Sequence, residues 1–396
     1  MEALFAPDRH EPLLDRGWDA VAVRDAIERI VADADAAASP EGFWPVHPND
    51  GPLGGPTSTD LYFGSAGVIW TLDYLASQGA APDQRPFAAD FQALLTHNRA
   101  FLAAPFMKGC SAHGYLLAET GVRLVQWKTT GEGAGALVAD IEANTADPAL
   151  DLMWGAPGTM LAALFLSQAT AEDRWRALFR SGAEALDRAF AFDEATGAFL
   201  WTQDLYGGKH RFLGAVHGFA ANAYVLWAGR ALLDPDAWTR WSGRIAATLS
   251  ATALRGPAGV NWPPMAAVSQ TNLVQFCHGA PGVVTTLALL DEPIEDLLIG
   301  GGELIWTAGP LAKGANLCHG TAGNGYAFLK LFERTGDQKW LDRARAFAMH
   351  AIAQSEAEAG ALGRRRYALW TGDLGLAVYL LDCLEARARF PTLDVF

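Results

Sequence analysis

Seven times along the chain, a small-x-x-small tetrapeptide opens a stretch that is apolar and nearly free of charge. The seven are Gly64-Ser-Ala-Gly67, Ala118-Glu-Thr-Gly121, Gly155-Ala-Pro-Gly158, Gly218-Phe-Ala-Ala221, Gly279-Ala-Pro-Gly282, Gly320-Thr-Ala-Gly323 and Gly372-Asp-Leu-Gly375. Two are degenerate, with alanine replacing one terminal glycine. Between them lie segments of another kind, such as DRWRALFRSGAEALDRAFAF and KWLDRARAFAMHAIAQSEAEA, in which apolar residues recur at three and four positions with charges in between. A helix that is apolar all round must be buried, whereas an amphipathic one needs cover on a single face. A closed ring satisfies both, with glycine-initiated helices inside and charged helices outside. The expected fold is therefore all-α: a double-layer α/α toroid of seven helical hairpins, in which repetition at low identity marks the repeats. Residues 60–396 supply the seven repeats. Residues 1–59 are expected to add an N-terminal helix and loop that pack on the toroid within a single domain, and the Gly/Pro-rich residues 48–56 read as a loop before the first inner helix. Glycines at helix starts let backbones approach closely, and the free N–H groups there point into the mouth of the ring.

The 396 residues, 51% of them apolar, are enough to bury a very large core. A formal net charge of −14 argues against a nucleic-acid surface, which needs clustered Lys and Arg. No uncharged apolar run approaches the roughly 18 residues of a membrane span, and no charged-then-apolar leader opens the chain. The expectation is a soluble, cytoplasmic protein acting as a monomer, without nucleic-acid or membrane partners. No phosphate-binding Gly-Lys-Ser/Thr loop and no Gly-x-Ser-x-Gly elbow occurs.

The chemistry concentrates in two tripeptides, Cys277-His278-Gly279 and Cys318-His319-Gly320, each at the start of one of the apolar segments. Thiolate and imidazole are the donors zinc prefers, and a Cys2His or Cys2His2 set drawn from two distant segments suits tetrahedral coordination. Only four cysteines occur in the chain, too few for a disulfide framework and consistent with metal binding or reduced thiols. Spacing alone leaves open whether the site is closed and structural or keeps an exchangeable position.

The seven glycine-started helices, FCHGAPG at repeat five, LCHGTAGNGYAFL at repeat six and the C-terminal Ala388-Arg389-Phe390-Pro391 resemble the lanthionine synthetase C-like (LanC-like) proteins over most of the chain from about Asp60. The pattern is closer to the free-standing eukaryotic branch than to the lanthipeptide cyclases. That resemblance implies one zinc in the mouth of the toroid, held by Cys277, Cys318 and His319, with the fourth position left to water or a substrate thiol and His278 not a ligand. It assigns proton transfer to His217, in the turn before inner helix four, with Asp151 orienting it or acting through water. Read alone, Asp151 is a helix N-cap. Lys313, five residues before Cys318, matches a lysine that holds glutathione in the eukaryotic members.

Some positions depart from the pattern. Leu273 stands where the cyclases carry arginine four residues before the first cysteine, and Thr371 where eukaryotic members often carry glutamate. Arg364-Arg365-Arg366 lies near their anion-binding arginine without a unique match, and Cys110 and Cys383 match nothing functional. The expected activity is zinc-dependent addition of a thiol, glutathione in preference to a peptide cysteine, to dehydroalanine or dehydrobutyrine in a peptide or protein. The alternatives are lanthipeptide cyclisation, a non-catalytic zinc- or glutathione-binding protein, and a sugar-processing toroid, the last of which needs a carboxylate pair and no zinc.

Overall fold

Burial follows the two kinds of segment. The third apolar stretch is buried without a break from Ala156 to Ser167. The charged helix after it buries only Trp175, Leu178, Phe179, Gly182, Ala183 and Leu186, one stripe at helical spacing. In this computed structural model, which describes residues 4–41, 43–50, 58–82 and 90–396, fourteen α-helices alternate between the two roles. They run outer α1 (Ala20–Ala36), inner α2 (Ser65–Ser77), outer α3 (Phe91–Leu102), inner α4 (Glu119–Thr130), outer α5 (Ala134–Asn144), inner α6 (Ala156–Thr170) and outer α7 (Asp173–Ala189). The second half continues with inner α8 (Phe219–Ala228), outer α9 (Pro235–Thr252), inner α10 (Ala280–Leu287), outer α11 (Glu295–Ala308), inner α12 (Thr321–Thr335), outer α13 (Gln338–Leu362) and inner α14 (Asp373–Glu385).

Each inner helix begins directly after the first small residue of its tetrapeptide, with Gly64, Ala118, Gly155, Gly218, Gly279, Gly320 and Gly372 as the N-caps. The inner helices touch in sequence from α2 to α14, and α14 touches α2, so the ring closes. The chain is an α/α toroid. α1 packs on α14 and α13, and we propose that the residues before 60 belong with the toroid in one folded unit. Of the loop expected over residues 48–56, only the short turn Pro48–Asp50 is described; the rest lies outside the described residues. Among the described residues, no helix is long and apolar enough to cross a membrane.

The structure departs from a purely helical fold in three two-stranded antiparallel hairpins between helices: β1 (Ala191–Asp193) with β2 (Ala198–Leu200), β3 (Gln203–Leu205) with β4 (Gly208–His210), and β5 (Leu254–Gly256) with β6 (Gly259–Asn261). Strands of three residues are too short for alternation to stand out in the sequence.

The turns before the inner helices are stitched to one another. Leu61 and Tyr62 donate their backbone N–H to Leu116, Tyr115 and Leu116 to Met153, and Leu152 to Val216. Cys277 donates to Cys318, Leu317 and Cys318 to Trp370, and Trp370 to Tyr62. Between Val216 and Cys277 the link is packing: Gly214 lies so close under the Cys277 carbonyl that a Cβ would collide with it. The second glycine of the tetrapeptide makes this rim possible. At Gly67, Gly121, Gly158, Gly282, Gly323 and Gly375, a Cβ would strike the carbonyl oxygen of the residue six before it, always in the same turn.

Candidate metal centre

The rim brings three donors together. The ligand atoms of Cys277, Cys318 and His319 all lie within 4.8 Å of one another, and among the described residues His278 is not part of this group. The difference between the two Cys-His-Gly turns is in the backbone. Gly279 has φ +113°, a left-handed conformation reserved for glycine, and closes a tight turn in which Gln275 and His278 exchange backbone hydrogen bonds. Gly320 is extended at φ −126°, and the His319 N–H donates instead to the Asn316 side chain at 3.0 Å. One sequence thus makes two turns. His319 goes to the cysteines, while His278 packs 6.0 Å from the Phe212 ring, with its Nδ1 buried and unpartnered.

The donors are electrically prepared. Burial pushes the His319 imidazole down to about 4, helped by Lys313 and Arg366, so it is neutral at pH 7 with a lone pair to offer. Cys277 and Cys318 share a hydrogen bond. Donation from Cys318, then from the Gln275 amide, with the charges of His217 and Lys313, holds Cys277 down at about 7 against the cost of burial. Cys318, the donor, is pushed well above the ordinary thiol range. The buried Tyr62 hydroxyl also bonds to Cys318. Two hydrogen-bonded thiols beside a neutral imidazole offer three soft donors of the kind zinc prefers.

His217 and Asp151 meet as well. Nδ1 of His217 lies 2.6 Å from Oδ2 of the fully buried Asp151. The other carboxylate oxygen accepts the N–H groups of Trp154 at 2.7 Å and Gly155 at 3.1 Å. Asp151 therefore both caps the turn and grips the imidazole. The β3–β4 hairpin covers this pair. At its tip, Tyr206 (φ +53°) and Gly207 (φ +79°) turn the chain. The Tyr206 ring stands edge-on to His217 at 5.9 Å, and its hydroxyl accepts from Trp154 Nε1 at 2.9 Å.

Lys313 is exposed, close enough for its charge to act on Cys277, Cys318 and His319. It flanks a cleft of about 830 Å³ whose lining includes Glu11, Asn49, His350 and Glu358. Of the arginine run, Arg364 donates to the Val46 carbonyl and Arg365 to Asp33, Ser355 and Glu356. Arg366 faces the centre, paired with Asp50 and acting on His319 and Tyr62. The Leu273 carbonyl accepts from Asn261, and Thr371 is buried with its hydroxyl unpartnered. Cys110 lies near Asp151, and Cys383 is fully buried.

With this geometry in hand, comparison with known proteins decides the family. The sequence profile of the lanthionine synthetase C-like proteins matches residues 22–395. The chain belongs to that family. It is 30% identical over 266 residues to "Glutathione S-transferase LANCL1" of Danio rerio, covering 62% of each chain. It is 33% identical over 210 residues to "LanC-like protein GCL1" of Arabidopsis thaliana, covering 50% of this chain and 46% of that one. The aligned stretches thus span about half to just under two thirds of these relatives. Among solved structures, nisin cyclase superposes with a TM-score of 0.60 over 91% of this chain and 94% of its own, at 12% identity, a likeness of fold.

The sequence reading missed Tyr62, Gln275, Tyr206 and the singling-out of Arg366. A signal for Tyr62 was present. Two residues before each helix-starting small residue stand Tyr62, Leu116, Met153, Val216, Cys277, Cys318 and Trp370, and one residue before it stand Phe63, Leu117, Trp154, His217, His278, His319 and Thr371. The polar members of those two columns make up the centre and its neighbours.

Proposed function

We propose that this protein is a zinc-dependent enzyme that adds a thiol, glutathione in preference to a peptide cysteine, across the double bond of dehydroalanine or dehydrobutyrine in a peptide or protein. The observation that carries the reading is a Cys277–Cys318–His319 donor cluster on the same rim as the His217–Asp151 pair. Zinc bound by those three side chains would lower the pKa of a substrate thiol, making it a thiolate at neutral pH.

The chain's own groups supply the rest. Lys313, exposed beside the centre, offers positive charge to a carboxylate of glutathione. Attack of the sulfur on the β-carbon forms the C–S bond, and the π electrons pass onto the carbonyl as an enolate. His217 then delivers a proton to the α-carbon. Asp151, accepting from Nδ1, leaves Nε2 as the atom that carries that proton. The proton lost by the thiol balances the one delivered, so no further reactant is needed. Leu273, where the cyclases carry arginine, favours an external thiol over ring closure. The four cysteines are unbridged, which fits work alongside glutathione in the cytoplasm.

The test is mass spectrometry of a dehydroalanine peptide incubated with protein, zinc and glutathione. Protein-dependent gain of one glutathione mass is expected. A thioether ring formed without mass change on a cysteine-bearing peptide would support cyclisation, and an unchanged peptide in both assays would leave a zinc- or thiol-binding protein.

A further inference from the structure

The N-terminal strap reaches the metal centre through a chain of two hydrogen bonds. Residues 7–12 run across the loop that leads to Lys313: Ala312 donates to the Arg9 carbonyl, Glu11 donates to the Pro310 carbonyl, and His10 Nδ1 bonds the Gly309 carbonyl. This fixes Arg9 where its Nη2 donates to Gln275 Oε1 at 3.2 Å, while Gln275 Nε2 lies 2.9 Å from Cys277 Sγ.

The direction of the chain is dictated by chemistry. A guanidinium has only donors, so the amide oxygen must face Arg9 and the amide nitrogen must face the sulfur. Gln275 is buried and cannot exchange this arrangement for one with water. Cys277 is thereby obliged to accept, and a sulfur is the better acceptor as a thiolate.

We propose that Arg9 and Gln275 are positioning residues of the zinc centre, with Arg9 locking the Gln275 amide so that its N–H stabilises the Cys277 thiolate as a metal ligand. Partners of this kind orient and tune the ligands of metal sites generally. The inference rests on Cys277, Cys318 and His319 being zinc ligands, which the zinc content of the unaltered protein tests separately.

The experiment measures zinc affinity by chelator competition, and the sulfur-to-metal charge-transfer band of the cobalt-substituted protein, in Gln275→Leu, Arg9→Met and the double variant of the full chain. Gln275→Leu should weaken zinc binding by about 10- to 100-fold and move the cobalt band to lower energy, because the sulfur lone pair is no longer stabilised. Arg9→Met should shift both readouts the same way, and the double variant should be no worse than Gln275→Leu alone, because the two residues act through one bond to sulfur. Unchanged affinity and spectrum in Gln275→Leu would overturn the proposal, as would full additivity in the double variant. Should Gln275→Leu fail to fold, Arg9→Met decides: unaltered zinc binding and an unaltered cobalt band in that variant would be fatal. An unaltered protein that takes up no zinc would instead refute the ligand assignment beneath it.

Discussion

Replacing Asp151 by Asn separates the two duties of that carboxylate. One oxygen caps the turn before α6, accepting from Trp154 and Gly155, and the other takes the Nδ1 proton of His217 at 2.6 Å. Asparagine keeps an oxygen for the cap, and Asp and Asn are nearly equivalent as caps. Its NH2 must then face Nδ1. A neutral imidazole can answer by moving its proton to Nε2, but an imidazolium would set donor against donor, so the acid form that protonates the enolate is the one that suffers. A hydrogen bond to a charged group contributes about 1.5–3 kcal/mol. At about 1.4 kcal/mol per tenfold, adduct formation should slow by about 10- to 150-fold.

The assay is the initial rate of glutathione addition to a dehydroalanine peptide, with zinc content and thermal stability measured on the same sample. Asp151→Asn should keep its zinc and nearly all its stability, whereas Asp151→Ala should also lose about 0.5–2 kcal/mol with the cap. His217→Ala should cost about 10²- to 10⁴-fold in rate with zinc unchanged. Normal turnover in Asp151→Asn and His217→Ala would refute the pair as the proton-transfer device, and zinc loss in His217→Ala would mean that this residue is a ligand.

Elemental analysis should give one zinc per chain, with Zn–S near 2.3 Å and Zn–N near 2.0–2.1 Å by X-ray absorption; Cys318→Ala should lose most of it and His278→Ala should keep it. Lys313→Met, changing an exposed charge that contributes about 0.2–1 kcal/mol, should raise KM for glutathione by about 1.4- to fivefold while leaving the rate with cysteamine, which has no carboxylate, unchanged. Burial raises the Asp60 carboxyl to about 6, above its unfolded value of about 3.9. The native state therefore holds the proton more tightly, and stability present below the unfolded value is lost as pH rises through 6, by about 3 kcal/mol in all. Asp60→Asn, which keeps the acceptor for Tyr62 and Phe63, should flatten that slope in denaturant titrations between pH 4 and 8; a slope equal to that of the unaltered protein would exclude Asp60 as its source.

The ring was legible because each glycine has a steric cause that repeats. A Cβ at Gly323 strikes Leu317 for the same reason that one at Gly67 strikes Leu61, so the spacing survives where little else does. Cys277 and Cys318 stood out as rare residues in duplicate contexts. What lay beyond reach depended on backbone detail between identical words. The sequence Cys-His-Gly does not say that Gly279 will be left-handed and Gly320 extended, yet this difference turns His319 toward the cysteines and His278 away. Gln275 was illegible for another reason: its meaning comes from Arg9, 266 positions away, and no local pattern carries that. Tyr206 sits on a hairpin whose strands are too short to announce themselves.

The Asp151 turn also indicates how a repeat acquires chemistry. Four positions before the helix-starting glycine, Asp60, Asp151 and Asn316 each accept backbone N–H groups of their own turn, those of Tyr62 and Phe63, of Trp154 and Gly155, and of His319. The cap thus recurs in three of the seven repeats, and an oxygen acceptor of either type serves it. A carboxylate leaves a second acceptor over, and what that acceptor meets differs from repeat to repeat. Beside Asp60 it is the Ser58 hydroxyl at 2.5 Å, and beside Asp151 it is His217. Asn316 leaves donors over instead, and its Nδ2 turns to the Lys313 carbonyl at 3.4 Å, in the loop that carries the candidate glutathione lysine. The same post in three repeats thus holds a serine hydroxyl, an imidazole and the carbonyl of Lys313. The toroid supplies the turn, and the spare atom is answered within the same turn at Asp60 and Asn316 but by the next repeat's turn at Asp151.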